Sequence, residues 1–161
     1  MTEVGMICER RVVTVNPDVN ITTAAKLMSD LHIGDLIVVD RGTKIPTGIL
    51  TDRDIVRSVV AEGGSAESLR VDTVMTRDLL VVSETTDIRD VIKKMLQRSV
   101  RRVPVIDGTG LLIGIITLDD IYAVIAGEMN LLSQISREQM QKEQTPAYPS
   151  SLDQTSPYSD Y

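Results

Sequence analysis

The sequence has almost none of the residue types on which many metal and redox sites depend. Its 161 residues contain no tryptophan and no phenylalanine, with a single cysteine, Cys8, and a single histidine, His32. One cysteine excludes an internal disulfide and is typical of a reducing compartment. One cysteine and one histidine cannot supply a His/Cys metal site, and no acidic cluster has calcium-loop spacing. We expect Cys8 to be a small buried hydrophobe rather than a reactive thiol.

An excess of basic residues and long apolar runs are also missing. The 17 Lys and Arg residues are outnumbered by 23 Asp and Glu residues, which gives a formal net charge of −6. This balance argues against phosphate-based nucleic-acid binding, and no aromatic platform exists on which single strands could stack. The apolar runs are too short to span a bilayer, and the N-terminus does not resemble a signal peptide. We therefore expect a cytoplasmic protein with neither a nucleic-acid nor a membrane partner.

One short stretch occurs twice. Residues 48–55 (GILTDRDI) return as residues 114–121 (GIITLDDI). In each copy an apolar strand ends at a threonine, Thr51 or Thr117, and an aspartate follows three residues later. Threonine is a good helix N-cap, and an acid in the first turn faces the positive end of the helix dipole. The pattern has two interpretations. It is a capping box used twice, or a site where hydroxyl, carboxylate and free helix N–H groups bind a sugar next to a phosphate.

The rest of the chain repeats around this stretch. The first copy is predicted to hold a strand at residues 12–15, a helix capped by Asp18, strands at residues 36–39 and 47–50, and a helix from Asp52 to about Ala61. The last helix would bury Ile55, Val56, Val59 and Val60. From Val71 the same elements return at an offset of 66 or 67 residues, with a first strand at residues 79–82. The sequence therefore predicts an α+β chain made of two tandem β-α-β-β-α repeats.

These repeats define the predicted domain boundaries. The first repeat covers residues 4–64, and the second covers residues 65–127. The final helix continues beyond the second repeat as an extension over residues 128–145. The composition then changes to Gln, Ser, Pro, Asp and Tyr. Because proline interrupts helices and polar segments bury little apolar surface, we predict a disordered tail at residues 146–161.

The double repeat, its two threonine–aspartate stretches and the segment Arg102-Val103-Pro104-Val105 together resemble a tandem pair of CBS domains (the cystathionine β-synthase motif). The resemblance covers Val4 to about Gly127. Since nothing large enough to be a separate catalytic domain accompanies the pair, the chain is most similar to stand-alone prokaryotic CBS-pair proteins. That resemblance implies a non-enzymatic sensor, also called a Bateman module, that requires no cofactor. A ligand-free structural or partner-docking dimer is the alternative.

The resemblance also implies an architecture and a class of ligand. The two repeats would pack sheet to sheet around a pseudo-twofold axis and leave two clefts between them. Such clefts often bind an adenosine-containing ligand: AMP, ADP, ATP, S-adenosylmethionine or NAD. Pairs of this kind commonly form homodimers through their helices. A homodimer that communicates with an unknown protein partner is therefore expected.

The site residues are carried over from the family by motif. Asp54 and Asp120 would accept hydrogen bonds from ribose hydroxyls, while Thr51 and Thr117 would contact the ribose or the α-phosphate. The cleft walls would come from the segments before the middle strands, which are Ile33-Gly34-Asp35 and Val100-Arg101-Arg102. In the family each cleft borrows wall residues from the other repeat, so Ile33 and Gly34 could face the cleft that holds Asp120. Val15 and Val82 are weaker candidates for contact with a base.

The two copies differ where the family places basic residues against phosphate. The second copy has Arg101 and Arg102 there, and arginine forks suit phosphate oxygens. The first copy has Gly34 and Asp35, which would repel an anion. The expectation is thus a phosphorylated ligand in the cleft of Thr117 and Asp120. The other cleft would be weaker, empty or selective for a less anionic adenosyl group. A solvated surface pair is the alternative for the two arginines.

Arg53 and Ile37 also enter the comparison of the copies. Arg53 lies in the first turn of a helix, where a cation is unfavourable unless an anion is near. It could offset the missing basic pair of the first copy, or it could be an ordinary surface arginine. Ile37 replaces the proline that the family commonly has in the middle strand.

Overall fold

The computed structural model describes residues 2–144, so the tail predicted at residues 146–161 lies outside the described part. Each repeat contributes one three-stranded sheet. The strands are β1 (Thr14–Val15), β2 (Asp35–Val39), β3 (Pro46–Thr51), β4 (Val82–Ser83), β5 (Arg102–Ile106) and β6 (Leu112–Thr117). The helices are α1 (Ile21–Leu31), α2 (Asp52–Ile55), α3 (Val71–Val74), α4 (Ile88–Arg98) and α5 (Leu118–Gln144). A 3-10 turn at Val4–Met6 precedes them, and a π-helical segment, Val56–Ala61, continues α2.

The two sheets have the same topology. In each, the first strand pairs parallel with the second, and the second pairs antiparallel with the third. Both repeats lie in one compact unit that ends at Tyr122, and the remainder of α5 belongs to a second unit that begins at Ala123. Among the described residues, no helix is both long enough and apolar enough to cross a membrane. The predicted α+β class with two tandem repeats is confirmed.

The early segments of the two repeats are exchanged, which the sequence did not reveal. Val4 and Cys8 belong to the core of the second repeat. Val71, Val74 and Met75 belong to the core of the first repeat. We call residues 4–9 the first lead-in and residues 71–76 the second lead-in. Each lead-in therefore supplies apolar side chains to the repeat that it does not begin.

The exchanged segments are held by two equivalent pairs of backbone hydrogen bonds. Glu9 and Ile115 exchange N–H···O bonds of 2.9 Å in both directions. Ile49 and Thr76 do the same, at 3.0 and 2.9 Å. Because the offsets of the repeat convert one pair into the other, the two contacts are related by the pseudo-twofold axis that relates the repeats.

The repeated glycine of the motif makes this crossing possible. A Cβ atom added at Gly48 would lie 2.6 Å from Met75 Sδ and 2.9 Å from the Thr76 carbonyl oxygen. A Cβ at Gly114 would lie 2.6 Å from Cys8 Sγ and 3.1 Å from the Glu9 carbonyl oxygen. The motif therefore begins with glycine because the exchanged lead-in passes directly over that position of the sheet.

A third apolar cluster joins the facing sheets. Ile37, Val39 and Leu112 are buried in it, with Val12, Ile49 and Ile115 packed around them. Ile37, which replaces the usual proline of the family, is only 1% exposed there. The cluster confirms sheet-to-sheet packing, and burial of its aliphatic surface stabilises the pair of repeats together rather than either one alone.

Three of the predicted local features are wrong. β1 begins at Thr14 and β4 at Val82, both later than predicted: Val13 contributes only a 3.2 Å bond from the Ile37 N–H to its carbonyl, and regular pairing with β2 starts at Thr14. Helix α1 is capped by Asn20, whose side chain accepts a 2.8 Å hydrogen bond from the Thr23 N–H. Asp18 instead forms an ion pair with Arg41.

Only half of the apolar residues that were predicted to be buried in the helix after Thr51 contact the core, and these are partly buried. Ile55 and Val59 pack against the first core, whereas Val56 and Val60 are 56% and 75% exposed. Ile55 and Val59 lie on the side of the helix that meets the core, whereas Val56 and Val60 each follow them by one residue and lie on an adjacent side. The apolar pattern alone did not show which pair meets the core.

Cys8 is buried, as expected, with Sγ 3.9 Å from the Gly5 carbonyl oxygen. Burial raises the pKa of its thiol. The positive charge of the nearby Arg10 lowers that pKa, but by less than burial raises it. Since the thiolate is the reactive form, the thiol is suited to packing. His32 ends α1 in the left-handed conformation, with φ 54°, and its backbone N–H bonds the carbonyls of Met28 and Ser29.

We predict that Gly48→Ala destabilises the protein by about 1–3 kcal/mol, the usual cost of overpacking a core. The added methyl group would collide with backbone, which cannot move as a flexible side chain does. Urea unfolding curves measure the change. Gly108→Ala is the matched control, because nothing lies within 4 Å of its added Cβ. Equal stability of the two variants would contradict the crossing explanation.

Candidate functional site

Two clefts lie between the repeats, one at each threonine–aspartate stretch. Cleft A has a volume of about 500 Å³ and cleft B one of about 300 Å³. Cleft A is lined by Gly34, Ile49, Thr51, Asp52, Arg53, Asp54, Thr76, Asp78, Leu79, Leu80, Ser99, Val100, Arg101 and Arg102. Cleft B is lined by Glu9, Arg11, Val12, Val13, Ile33, Asp35, Ile37, Ile115, Thr117 and Asp120. Most of these residues correspond to one another through the repeat.

Each cleft contains a complete threonine–aspartate box with nearly the same geometry. In cleft A, Asp54 Oδ2 accepts from Thr51 Oγ1 at 2.7 Å and from the Thr51 N–H at 3.0 Å. In cleft B, Asp120 Oδ2 accepts from Thr117 Oγ1 at 2.7 Å and from the Thr117 N–H at 2.8 Å. The threonine hydroxyls accept 3.2 Å bonds from the aspartate N–H groups. The capping-box interpretation is thus confirmed.

The box does not use the whole carboxylate. Its hydrogen bonds go to Oδ2 of Asp54 and of Asp120, so Oδ1 is the oxygen that remains to accept from a ligand. An ionised carboxylate has about four lone-pair sites, so it can hold the cap and a ligand hydroxyl together. Capping and ligand binding are therefore compatible.

The expected free N–H groups are not present at the start of α2. The Asp52 N–H bonds the Gly34 carbonyl at 2.9 Å, and the Arg53 N–H bonds Asp52 Oδ1 at 2.7 Å. The Asp54 N–H is used by the box. Because these donors are already satisfied, attraction of an anion to cleft A depends on side-chain cations.

The structure brings the predicted residues together in a different grouping. Arg101, Arg102, Val100 and Gly34 lie with Thr51 and Asp54 in cleft A, and Ile33 lies with Thr117 and Asp120 in cleft B. The placement of the arginine pair with Asp120 was wrong, and so was that of Gly34. Arg101 also contacts its own repeat, because its carbonyl oxygen accepts a 2.8 Å bond from the Leu118 N–H and its guanidinium lies 4.0 Å from Asp119. The Arg102 guanidinium instead reaches Asp35 of the first repeat.

The two clefts differ in charge. Cleft A has three arginines and three acids, so its formal charge is zero: Arg53, Arg101 and Arg102 against Asp52, Asp54 and Asp78. Cleft B has one arginine and three acids, which gives −2: Arg11 against Glu9, Asp35 and Asp120. The negative charge of Asp78 in cleft A is further offset by an ion pair with Arg98 at 2.5 Å. Cleft A is therefore the better environment for an anion.

The sequence-based prediction omitted several residues that line the clefts. Leu79 and Leu80 line cleft A, and Val12 and Val13 line cleft B. The candidates Val15 and Val82 are instead buried in the two cores. The missed residues lie three and four residues after the ends of the lead-ins, and their correspondence at an offset of 67 residues was the available signal.

Comparison with known proteins agrees with this architecture. The family model for the CBS domain matches residues 4–61 and 71–127. The chain belongs to the CBS domain family. A CBS domain pair is a regulatory module, so the coarse functional class is established with the family.

The relatives include stand-alone CBS proteins and larger enzymes. The CBS domain-containing protein YhcV of Bacillus subtilis is 33% identical over 121 residues, which cover 75% of this chain and 84% of YhcV. The inosine-5'-monophosphate dehydrogenase of Bifidobacterium longum is 37% identical over 120 residues, but these cover only 21% of that enzyme. The similarity to the enzyme therefore involves a minor part of its length.

One similar solved structure contains adenosyl ligands. The CBS domain pair of protein MJ0100, in complex with 5'-methylthioadenosine and S-adenosyl-L-methionine, superposes with a TM-score of 0.69 at 27% identity. The alignment covers 80% of this chain and 98% of that one. A CBS pair of the same architecture thus accommodates adenosyl compounds.

We predict that Thr51→Ala lowers the free energy of unfolding by about 0.5–2 kcal/mol, the usual cost of losing an N-cap. The variant loses the Oγ1 bonds to the Asp54 carboxylate and N–H. Thr51→Ser, which keeps the hydroxyl, should retain most of the stability. Thermal unfolding in the absence of ligand measures both. Equal losses in the two variants would show that the methyl group, not the cap, matters.

Proposed function

We propose that this CBS pair is a sensor for an adenosine-containing ligand and that cleft A takes a phosphorylated one. The observation that carries the proposal is the placement of Arg53, Arg101 and Arg102 in the same cleft as the Thr51–Asp54 box. A ligand that bridges the two repeats would change how they pack. A protein partner would read that change.

The box supplies the ribose end of the site. Asp54 Oδ1 accepts from a ribose hydroxyl while Oδ2 stays on the cap. A hydrogen bond to a charged acceptor contributes about 1.5–3 kcal/mol. Leu79, Leu80 and Val100 line the same cleft and provide apolar surface for a base. This division, apolar walls with a few placed polar groups, is typical of small-molecule sites.

The arginines supply the phosphate end. The Arg101 side chain is 73% exposed, and its guanidinium lies 4.0 Å from the exposed Asp119 carboxylate. This loose contact leaves the guanidinium able to turn towards a ligand. Arginine offers a planar fork of donors that matches phosphate oxygens. The S-adenosylmethionine and 5'-methylthioadenosine bound by the MJ0100 pair support the adenosyl part of the proposal.

We predict that AMP stabilises the protein more than adenosine does. A ligand present at about a hundred times its Kd raises the free energy of unfolding by roughly 2.7 kcal/mol, which is visible as a higher Tm. Differential scanning fluorimetry with AMP, ADP, ATP, NAD, S-adenosylmethionine and adenosine ranks the candidates. No shift with any of them at millimolar concentration would refute the sensor proposal.

We further predict that Asp54→Asn weakens AMP binding about tenfold or more, as expected for a lost hydrogen bond to a charged acceptor. The amide keeps one oxygen for the cap and replaces the other with a donor. Asp120→Asn, the same change in cleft B, is the matched control and should leave AMP affinity nearly unchanged. Isothermal titration calorimetry distinguishes them, and a larger effect of Asp120→Asn would place the nucleotide in cleft B.

A docking dimer is the second candidate, favoured by the exposed apolar side chains Val56 and Val60. They are 56% and 75% exposed and lie one turn apart on the π-helical segment. A second copy of the chain would cover them in a homodimer. We predict that Val60→Glu shifts the protein towards monomer, as measured by light scattering. Lys26→Glu, an exposed position on α1, is the control for the added charge.

A further inference from the structure

The two clefts are connected by one ion pair. Arg102, in the wall of cleft A, binds the Asp35 carboxylate, which lies in the wall of cleft B. The two residues are the first residues of β5 and β2, and they correspond to each other in the repeat. The pair therefore joins a position in one repeat to the equivalent position in the other, across the axis between the clefts.

The pair is more sheltered than the other arginine contacts of the clefts. The side chains of Arg102 and Asp35 are 39% and 15% exposed. Arg101 and Asp119 are 73% and 83% exposed and 4.0 Å apart. Because a sheltered pair is less screened by water, a ligand that competes for one partner changes the electrostatic environment of the other.

We propose that Arg102 and Asp35 give the two clefts opposite charge preferences and couple them. An anionic ligand in cleft A draws Arg102 away from Asp35, because the same guanidinium donors serve carboxylate and phosphate. Asp35 then has an uncompensated negative charge, beside Asp120 and Glu9, and attracts a cation into cleft B. A cationic ligand in cleft B pairs with Asp35 and releases Arg102 to cleft A.

This inference rests on the proposed function, since it requires that both clefts bind ligands. It adds that an anion in cleft A and a cation in cleft B promote each other. By linkage, the factor by which one ligand raises the affinity of the other is the same in both directions. The protein would then respond to a combination of two ligands more strongly than to either.

The test uses AMP as the anionic probe and S-adenosylmethionine, which carries a sulfonium, as the cationic probe. Calorimetric titrations of each ligand, with and without a saturating amount of the other, give the coupling factor. We expect each ligand to raise the affinity of the protein for the other about fivefold or more, the lower end of the usual range for coupled sites. S-adenosylhomocysteine, which lacks the sulfonium charge, is the matched control ligand and should tighten AMP little.

Two variants separate electrostatic coupling from a structural role. Asp35→Asn removes the competitor for Arg102, so AMP should bind more tightly, S-adenosylmethionine more weakly, and the coupling should vanish. Arg102→Gln should weaken AMP binding, strengthen S-adenosylmethionine binding and also abolish the coupling. Damage to the fold would instead lower the affinity for both ligands. Arg101→Gln should weaken AMP while keeping the coupling factor, since Arg101 has no contact with Asp35 in the structure.

The outcomes that overturn the inference differ from those that overturn the proposed function. If neither ligand binds, the sensor proposal itself fails, and the coupling fails with it. If both bind but with a coupling factor of one, or with mutual exclusion, only the coupling is refuted. Persistence of the coupling in Asp35→Asn would show that it does not pass through the ion pair. Titrations of Asp54→Asn and Asp120→Asn confirm which cleft each ligand occupies.

Discussion

The structure depends on the crossing of each lead-in over the sheet of the other repeat. The contact is possible only because Gly48 and Gly114 have no side chain, and it is fixed by paired backbone bonds at Ile49 and Ile115. Val4 from the first lead-in completes the core of the second repeat, and Val71 from the second lead-in completes the core of the first. Each core therefore depends on side chains from the other repeat, and neither repeat could complete its core alone.

The clefts result from the same crossing. Residues that follow a lead-in form one wall, and the threonine–aspartate box of the opposite repeat forms the other. A ligand in either cleft would therefore contact both repeats, and its affinity would depend on how they pack. This is the condition under which binding can shift a conformational equilibrium, because a ligand acts only through its differential affinity for two states. It gives a physical basis for a regulatory module.

The repeats are nearly symmetric in backbone but not in charge. Arg102 and Asp35 occupy equivalent positions with opposite charges, and they bind each other across the axis. As a result the clefts differ in formal charge while their capping boxes differ by at most 0.2 Å in the corresponding bonds. Duplication accounts for the shared geometry, and a few substitutions at the axis account for the separate preferences.

The sequence by itself determined the tandem repeat, the strand and helix order, and the two threonine–aspartate boxes, because these features are local. Apolar periodicity, a capping threonine and an acid three residues later depend only on neighbours along the chain. Tertiary structure alone decided which residues share a cleft: Arg101 and Arg102 line the cleft that holds Thr51, and Leu79 and Leu80 line a wall that the pattern did not predict. It also decided that Val56 and Val60 are exposed, because the core contacts the side of the helix that carries Ile55 and Val59. The reason is that exchange between repeats brings together residues far apart in sequence, and a one-dimensional pattern carries no information about which repeat each segment joins.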